Sequence, residues 1–165
     1  MAVFIRQITR APVLLQQCAR LAATQNVSKR GYADMAFTMA SPSDIYYNEA
    51  KVKQVDVPAL SGSFGILPDH VPSLAVLKPG VVTVYEEDGS TKKVFVSSGS
   101  ITINEDSSVQ VLAEEAHPVD RLDASTIRDG LAKAQQDFNS ATSDKAKAEA
   151  QISLECYEAL SKALE

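Results

Sequence analysis

Apolar side chains recur at about every second residue up to Pro118 and at every third or fourth residue after it. That single change of period dictates a two-part fold, because a spacing of two faces one side of a sheet and a spacing near 3.6 faces one side of a helix. In the first part, residues 36–40 are short and apolar and stop at Pro42. Residues 45–48 and 52–57 flank an expected turn at Asn48-Glu49. Residues 81–86 and 92–96, rich in β-branched and aromatic side chains, flank Asp88-Gly89, a hairpin signal because glycine tolerates the positive φ such turns need. Residues 100–104 place Ile101 and Ile103 on one face and Thr102 on the other, and 109–113 follow after a turn at 105–108. Many short strands with turns at intervals of about 8 to 12 residues predict a β-sandwich or barrel.

In the second part, Ala124, Ile127, Leu131, Ala134, Phe138 and Ala141 form one stripe of a helix that Asp123 or Ser125 can cap. Ser143 can cap a second helix through 146–164, and the short link at 139–144 folds the two into an antiparallel hairpin. The second helix carries two stripes. Ala148, Ile152, Cys156, Ala159 and Ala163 are mostly small and suit close approach to the first helix. Ala150, Leu154, Tyr157, Leu160 and Leu164 lie roughly opposite and are assigned to the sandwich or to an outside protein.

Residues 61–80 punctuate the first part with three glycines (Gly62, Gly65, Gly80) and three prolines (Pro68, Pro72, Pro79). Large apolar residues stand between them. A plain connection is short and polar, so this stretch either plugs its own core or presents a stiff apolar rim to a partner.

The first acid in the chain is Asp34, whereas Arg6, Arg10, Arg20, Lys29 and Arg30 precede it. An acid-free amphipathic start of this kind reads as a mitochondrial targeting peptide, and Arg30-Gly31-Tyr32-Ala33 places its expected cleavage after Tyr32. The expected organisation is therefore targeting peptide 1–32, β-sandwich 33–118 and helical hairpin 119–165. Removing five of the 16 basic residues and none of the 21 acids leaves 11 against 21, about −10. No basic stripe remains, which excludes nucleic acid as an expected partner, and no window of about 20 apolar residues suggests a membrane span. Cys18 leaves with the presequence. Cys156 then has no internal disulfide partner and reads as a small buried hydrophobe.

Reaction chemistry is not expected. His70 and His117 are the only histidines, and neither has a second ligand at metal spacing. Ser97-Ser98-Gly99-Ser100 is not a nucleophile elbow, and Gly62-x-x-Gly65 lacks the lysine of a phosphate loop. Glu86-Glu87-Asp88 and Glu114-Glu115 sit at turns and strand ends, where they read as solvated charge rather than a catalytic pair.

GSFGILPDHVPSL at 62–74, followed by LKPG at 77–80, resembles the N-terminal domain of the small central-stalk subunit of F-type ATP synthases, called delta in mitochondria and epsilon in bacteria. FVSSGS at 95–100, LAEEA at 112–116 and the ending with Glu155, Glu158, Ala159, Leu160, Lys162, Ala163 and Leu164 are similar to the same family. The resemblance implies a sandwich of about ten strands with a C-terminal two-helix hairpin, and a rotor subunit without an active site, metal or cofactor. It implies partners in the gamma subunit, the small mitochondrial epsilon subunit and the membrane c-ring, on the matrix side of the inner membrane. Torque from proton-driven rotation would pass through this subunit to ATP synthesis. In that setting Phe64, Gly65, Ile66, Leu67, His70, Val71 and Pro72 become a contact rim, with His70 its polar tip. Leu154, Tyr157, Leu160 and Leu164 become a contact face of the second helix. Relatives that bind ATP carry Leu/Ile-Asp-x-x-Arg-Ala, whereas here Thr126 follows Leu122 and Asp123 where arginine would meet phosphate. Two other functions stay open at this point: a nucleotide-responsive switch, marked by ATP binding, and a free matrix sandwich that holds a small apolar ligand, marked by an interior cavity.

Overall fold

The computed structural model describes residues 35–164, so the expected targeting peptide and its cleavage point lie outside the described residues. The chain forms β1 (Met35–Ala40), β2 (Ile45–Ala59), β3 (Gly62–Ile66), β4 (Ser73–Leu77), β5 (Gly80–Glu86), β6 (Thr91–Val96), β7 (Gly99–Ile103), β8 (Val109–Ala113) and β9 (Ala116–Pro118). A 3-10 turn at Val119–Arg121 leads to helices α1 (Ala124–Ser140) and α2 (Asp144–Ala163). A β-sandwich followed by a helical hairpin is what the change of period dictates. The described residues supply nine strands to it.

One layer runs β4-β7-β8-β1 and the other β3-β2-β5-β6-β9. The long β2 belongs to both. Its first half pairs with β1 and its second half with β5 and β3. The turn expected at Asn48-Glu49 is therefore not a turn. The strand continues through an irregularity at which the pairing with β1 slips, Glu49 takes φ 49°, and the Glu49 N–H donates to Thr38 Oγ1 at 3.2 Å. A left-handed residue satisfied by a neighbouring hydroxyl bends the strand from one layer into the other without ending it.

Period-2 alternation turns Phe37, Met39, Val55, Val57, Val84 and Val111 inward, each at most 1% exposed. Residues 61–80 are not one loop. They contribute β3 and β4, and only the turn between them remains irregular. The isolated pattern hides these strands because each is five residues long, β3 holding two glycines and β4 standing between Pro72 and Pro79.

Both helix caps form as read. Asp123 Oδ1 accepts from Ser125 N at 3.1 Å, and Ser143 Oγ accepts from Ala146 N at 3.2 Å. Ile127 and Ala134 of the α1 stripe are buried. Phe95, on the outer side of the β2-β5 layer, is only 4% exposed and lines a cavity with Ile127, Tyr157 and Leu160. The hairpin therefore covers one end of that layer.

Candidate interaction site

Pairing registers place an uncharged surface on the outside of the β4-β7-β8-β1 layer. Directly opposed residues share a face, and Ile45, Ala40, Leu112, Ser100 and Val76 are opposed in turn across five strands. A second row runs Thr38, Gln110, Thr102 and Leu74. At a strand spacing of about 4.8 Å the first row spans about 19 Å. Ile45, Leu74, Val76 and Leu112 are 72%, 77%, 60% and 59% exposed. Isolated surface leucines need no explanation, but aligned rows with no charge mark a contact surface. Sequence reasoning missed this face. Its signal was available in SLAVL at 73–77, where Leu74 and Val76 leave the inward phase of Ala75 and Leu77 yet remain apolar.

The expected rim divides. Ile66 is completely buried and opposes Val55, so it is a core residue and not a contact anchor. Phe64 packs partly on the same core, and its ring stacks on His70 at 6.2 Å. The period-2 phase of β3 turns both inward, an assignment unavailable while 61–80 is read as a loop. Gly65 is an exposed strand position: a Cβ there would meet Asp56 Oδ1 at 2.8 Å. What projects is the turn itself, with Leu67 and Val71 49% and 72% exposed and Pro72 exposed beside them. His70 is half-buried and its Nδ1 lies 2.8 Å from Val71 O, so it braces the turn more than it tips it. A long-range tie holds the turn in place. Asp69 N donates to Ser107 Oγ at 3.3 Å, and that hydroxyl donates to Asp69 Oδ1 at 3.2 Å. Both residues are left-handed, at φ 62° and 63°, where Asp is tolerated better than a branched residue.

The helix stripes are also reassigned. The Tyr157 ring lies on Gly130 of α1, and a Cβ at that glycine would fall 2.3 Å from it. Leu154 and Tyr157 therefore face the partner helix and are half-buried, Tyr157 and Leu160 also meet the sandwich across the Phe95 cavity, and Ile152 of the small stripe is 67% exposed. Cys156 and Ala159 line hollows against the sandwich. Gly130 leaves the space in α1 that the ring fills, a property of the first helix that the composition of the second does not carry. Leu160 borders the cavity, and Leu164 at the C-cap is 38% exposed.

That cavity, about 290 Å³, lies between Phe95 and the start of α1, with His117, Arg121, Asp123 and Thr126 around it. Thr126 donates to Asp123 Oδ2 at 2.6 Å, and Ser125 donates to the same carboxylate. These bonds hold the Asp123 carboxyl down to about 2. An ionised carboxylate already occupying the helix start opposes a phosphate at that point. Burial pushes the Cys156 thiol up, with Glu115 adding to the shift, which is the opposite of nucleophile activation.

The acid run at 86–88 is only partly the solvated charge its sequence suggests: Glu87 and Asp88 are exposed and Glu86 is not. Glu86 is half-buried and accepts from Tyr47 Oη at 3.0 Å and Ser90 Oγ at 2.8 Å, with Lys92 Nζ at 2.7 Å. The Lys92 and Ser90 bonds lower its pKa, while burial and Glu86 raise that of Tyr47. This network pins the β5–β6 hairpin to β2.

Fold and surface together describe a β-sandwich with an uncharged outer face on one layer and a helical hairpin against the other. Residues 34–119 match the family described as ATP synthase, Delta/Epsilon chain, beta-sandwich domain. The mitochondrial ATP synthase subunit delta of Caenorhabditis elegans is 46% identical over 148 residues, covering 83% of this chain and 90% of that protein. Its counterpart in Neurospora crassa is 35% identical and covers 93% of this chain and 94% of its own. A chain in the Euglena gracilis mitochondrial ATP synthase OSCP/F1/c-ring structure shares the fold, with a TM-score of 0.75 at 22% identity, covering 81% of this chain and 82% of that one. The chain belongs to the delta/epsilon family of ATP synthase subunits.

Proposed function

We propose that this chain works as the delta-type, non-catalytic subunit of the mitochondrial ATP synthase central stalk, where it couples c-ring rotation through gamma to ATP synthesis. The observation that carries this is the uncharged row Ile45–Ala40–Leu112–Ser100–Val76 on a rigid sandwich whose relatives are mitochondrial delta subunits. Rigidity suits torque transmission: a close-packed interior has low compressibility, and the β1–β2, Asp69–Ser107 and Tyr47–Glu86 ties hold its ends. The uncharged outer face docks gamma. The Leu67–Pro72 turn rests on the c-ring loops, and the exposed flank of α2 receives the small epsilon subunit. Residues 1–32 direct the precursor to mitochondria and are removed, leaving sandwich 33–118 and hairpin 119–165 peripheral to the matrix side of the inner membrane. Among the described residues no helix is long and apolar enough to cross a membrane.

The test replaces Val76 or Leu112 with lysine in the full chain and measures both melting and co-purification with the ATP synthase. On a solvent-facing strand position each change costs within about 0.5 kcal/mol of fold stability. Inside an apolar interface an unpaired charge costs several-fold more. Normal assembly of both variants would overturn the assignment of this face.

A further inference from the structure

The β3 strand has one partner. Among the described residues it pairs with β2 and nothing else, in the register Pro58↔Ser63 and Asp56↔Gly65. The orientation of its other edge follows from Pro58. That residue has no N–H, and its carbonyl accepts from Lys78 N at 3.0 Å on the opposite side of β2. Pro58 and Ser63 are therefore a non-hydrogen-bonded pair, and the alternation of an antiparallel ladder makes Asp56 and Gly65 another. The backbone N–H and C=O groups of Ser63 and Gly65 point away from the sheet, and both residues are exposed. No described group bonds them.

Free edges are ordinarily blunted by lysine, proline or a bulge. Residues 62–66, GSFGI, contain no charge and no proline, and their register with β2 is unbroken. We infer that the β3 edge is an acceptor for an extended strand from a partner polypeptide, which continues the β3-β2-β5 layer by main-chain pairing. The neighbouring side chains state what the strand must carry. A residue opposite Phe64 lies on the inner face over a half-buried ring, and must be apolar. Its neighbour opposite Gly65 lies on the outer face, where the Asp56 carboxylate, which accepts from Gln54 Nε2 at 2.6 Å, leans over the bare glycine. A lysine or arginine there reaches the Asp56 carboxylate across Gly65. The occupant is thus an extended segment with an apolar residue next to a basic one, which also complements the acid excess of residues 33–165.

This inference adds a main-chain contact to the proposed stalk assembly, and it fails separately from that proposal. Hydrogen exchange resolved to single amides is measured on the full chain alone and within the co-purified complex. In the free chain the Ser63 and Gly65 amides exchange at nearly unprotected rates while Phe64 and Ile66 are slow. In the complex Ser63 and Gly65 slow by about tenfold or more. Ser63→Pro removes only an outward donor, as edge strands permit, and reduces incorporation relative to Ser63→Ala. Unchanged exchange of both amides in a complex that contains the chain would overturn the inference and leave the stalk function standing. So would normal incorporation of a folded Ser63→Pro variant. Protection in the free chain that rises with its concentration would mean that a second copy takes the edge, and would equally overturn it. Absence of the chain from the ATP synthase would instead overturn the stalk function.

Discussion

Replacing Gly130 with alanine sets two effects of similar size against each other, and the packing of Tyr157 decides the sign. In the interior of α1 the change ordinarily stabilises by about 1 kcal/mol, because alanine loses less backbone entropy than glycine. Here the added Cβ falls 2.3 Å from Tyr157 Cε1, 2.6 Å from Cζ and 3.0 Å from Cδ1. Carbon atoms pack at about 3.5 Å or more, so the ring must retreat by roughly an ångström. Overpacking of this kind costs about 1–3 kcal/mol. The cavity beside Tyr157 gives the ring somewhere to go, which holds the overpacking cost to about 2 kcal/mol and leaves a net loss of about 1 kcal/mol after the backbone gain. Denaturant melts of the full chain, followed by helix signal, measure it. The same substitution in a Tyr157→Ala background meets no ring and becomes stabilising by about 1 kcal/mol. Stabilisation by Gly130→Ala in the wild-type chain would refute the packing argument.

Ile66→Asp buries a charge in the sandwich and lowers its melting point sharply, whereas Val71→Asp, 72% exposed, leaves melting unchanged and weakens assembly; equal melting of the two variants would sink this division of the rim. The Asp123 carboxyl, at about 2 against an ordinary 3.8, stabilises the start of α1 fully above that ordinary value and loses the contribution as pH falls toward 2. Acid fraying of α1 is accordingly blunted in Asp123→Asn, and an identical acid titration of both proteins would contradict it. N-terminal sequencing of the endogenous protein begins within a few residues of Ala33, and an intact Met1 in assembled protein would exclude the targeting peptide.

Much of this chain is legible one segment at a time. Strand and helix periods, the Asp88-Gly89 hairpin and the Asp123 and Ser143 caps depend on neighbours within a few residues, so they can be read without a fold. The same locality explains the errors. Asn48-Glu49 looks like a turn because nothing nearby shows that Thr38, eleven residues back, accepts the Glu49 N–H. Ile66 looks like a rim anchor until its pairing with Val55 gives β3 an inward phase. Glu86 looks solvated until β2 brings Tyr47 to it from 39 residues away. The outer apolar face is a property of registers between five strands, and the open β3 edge of a proline on the neighbouring strand. Neither exists along a single segment, since a face or an edge is created only when distant strands settle which of their groups remain unpaired.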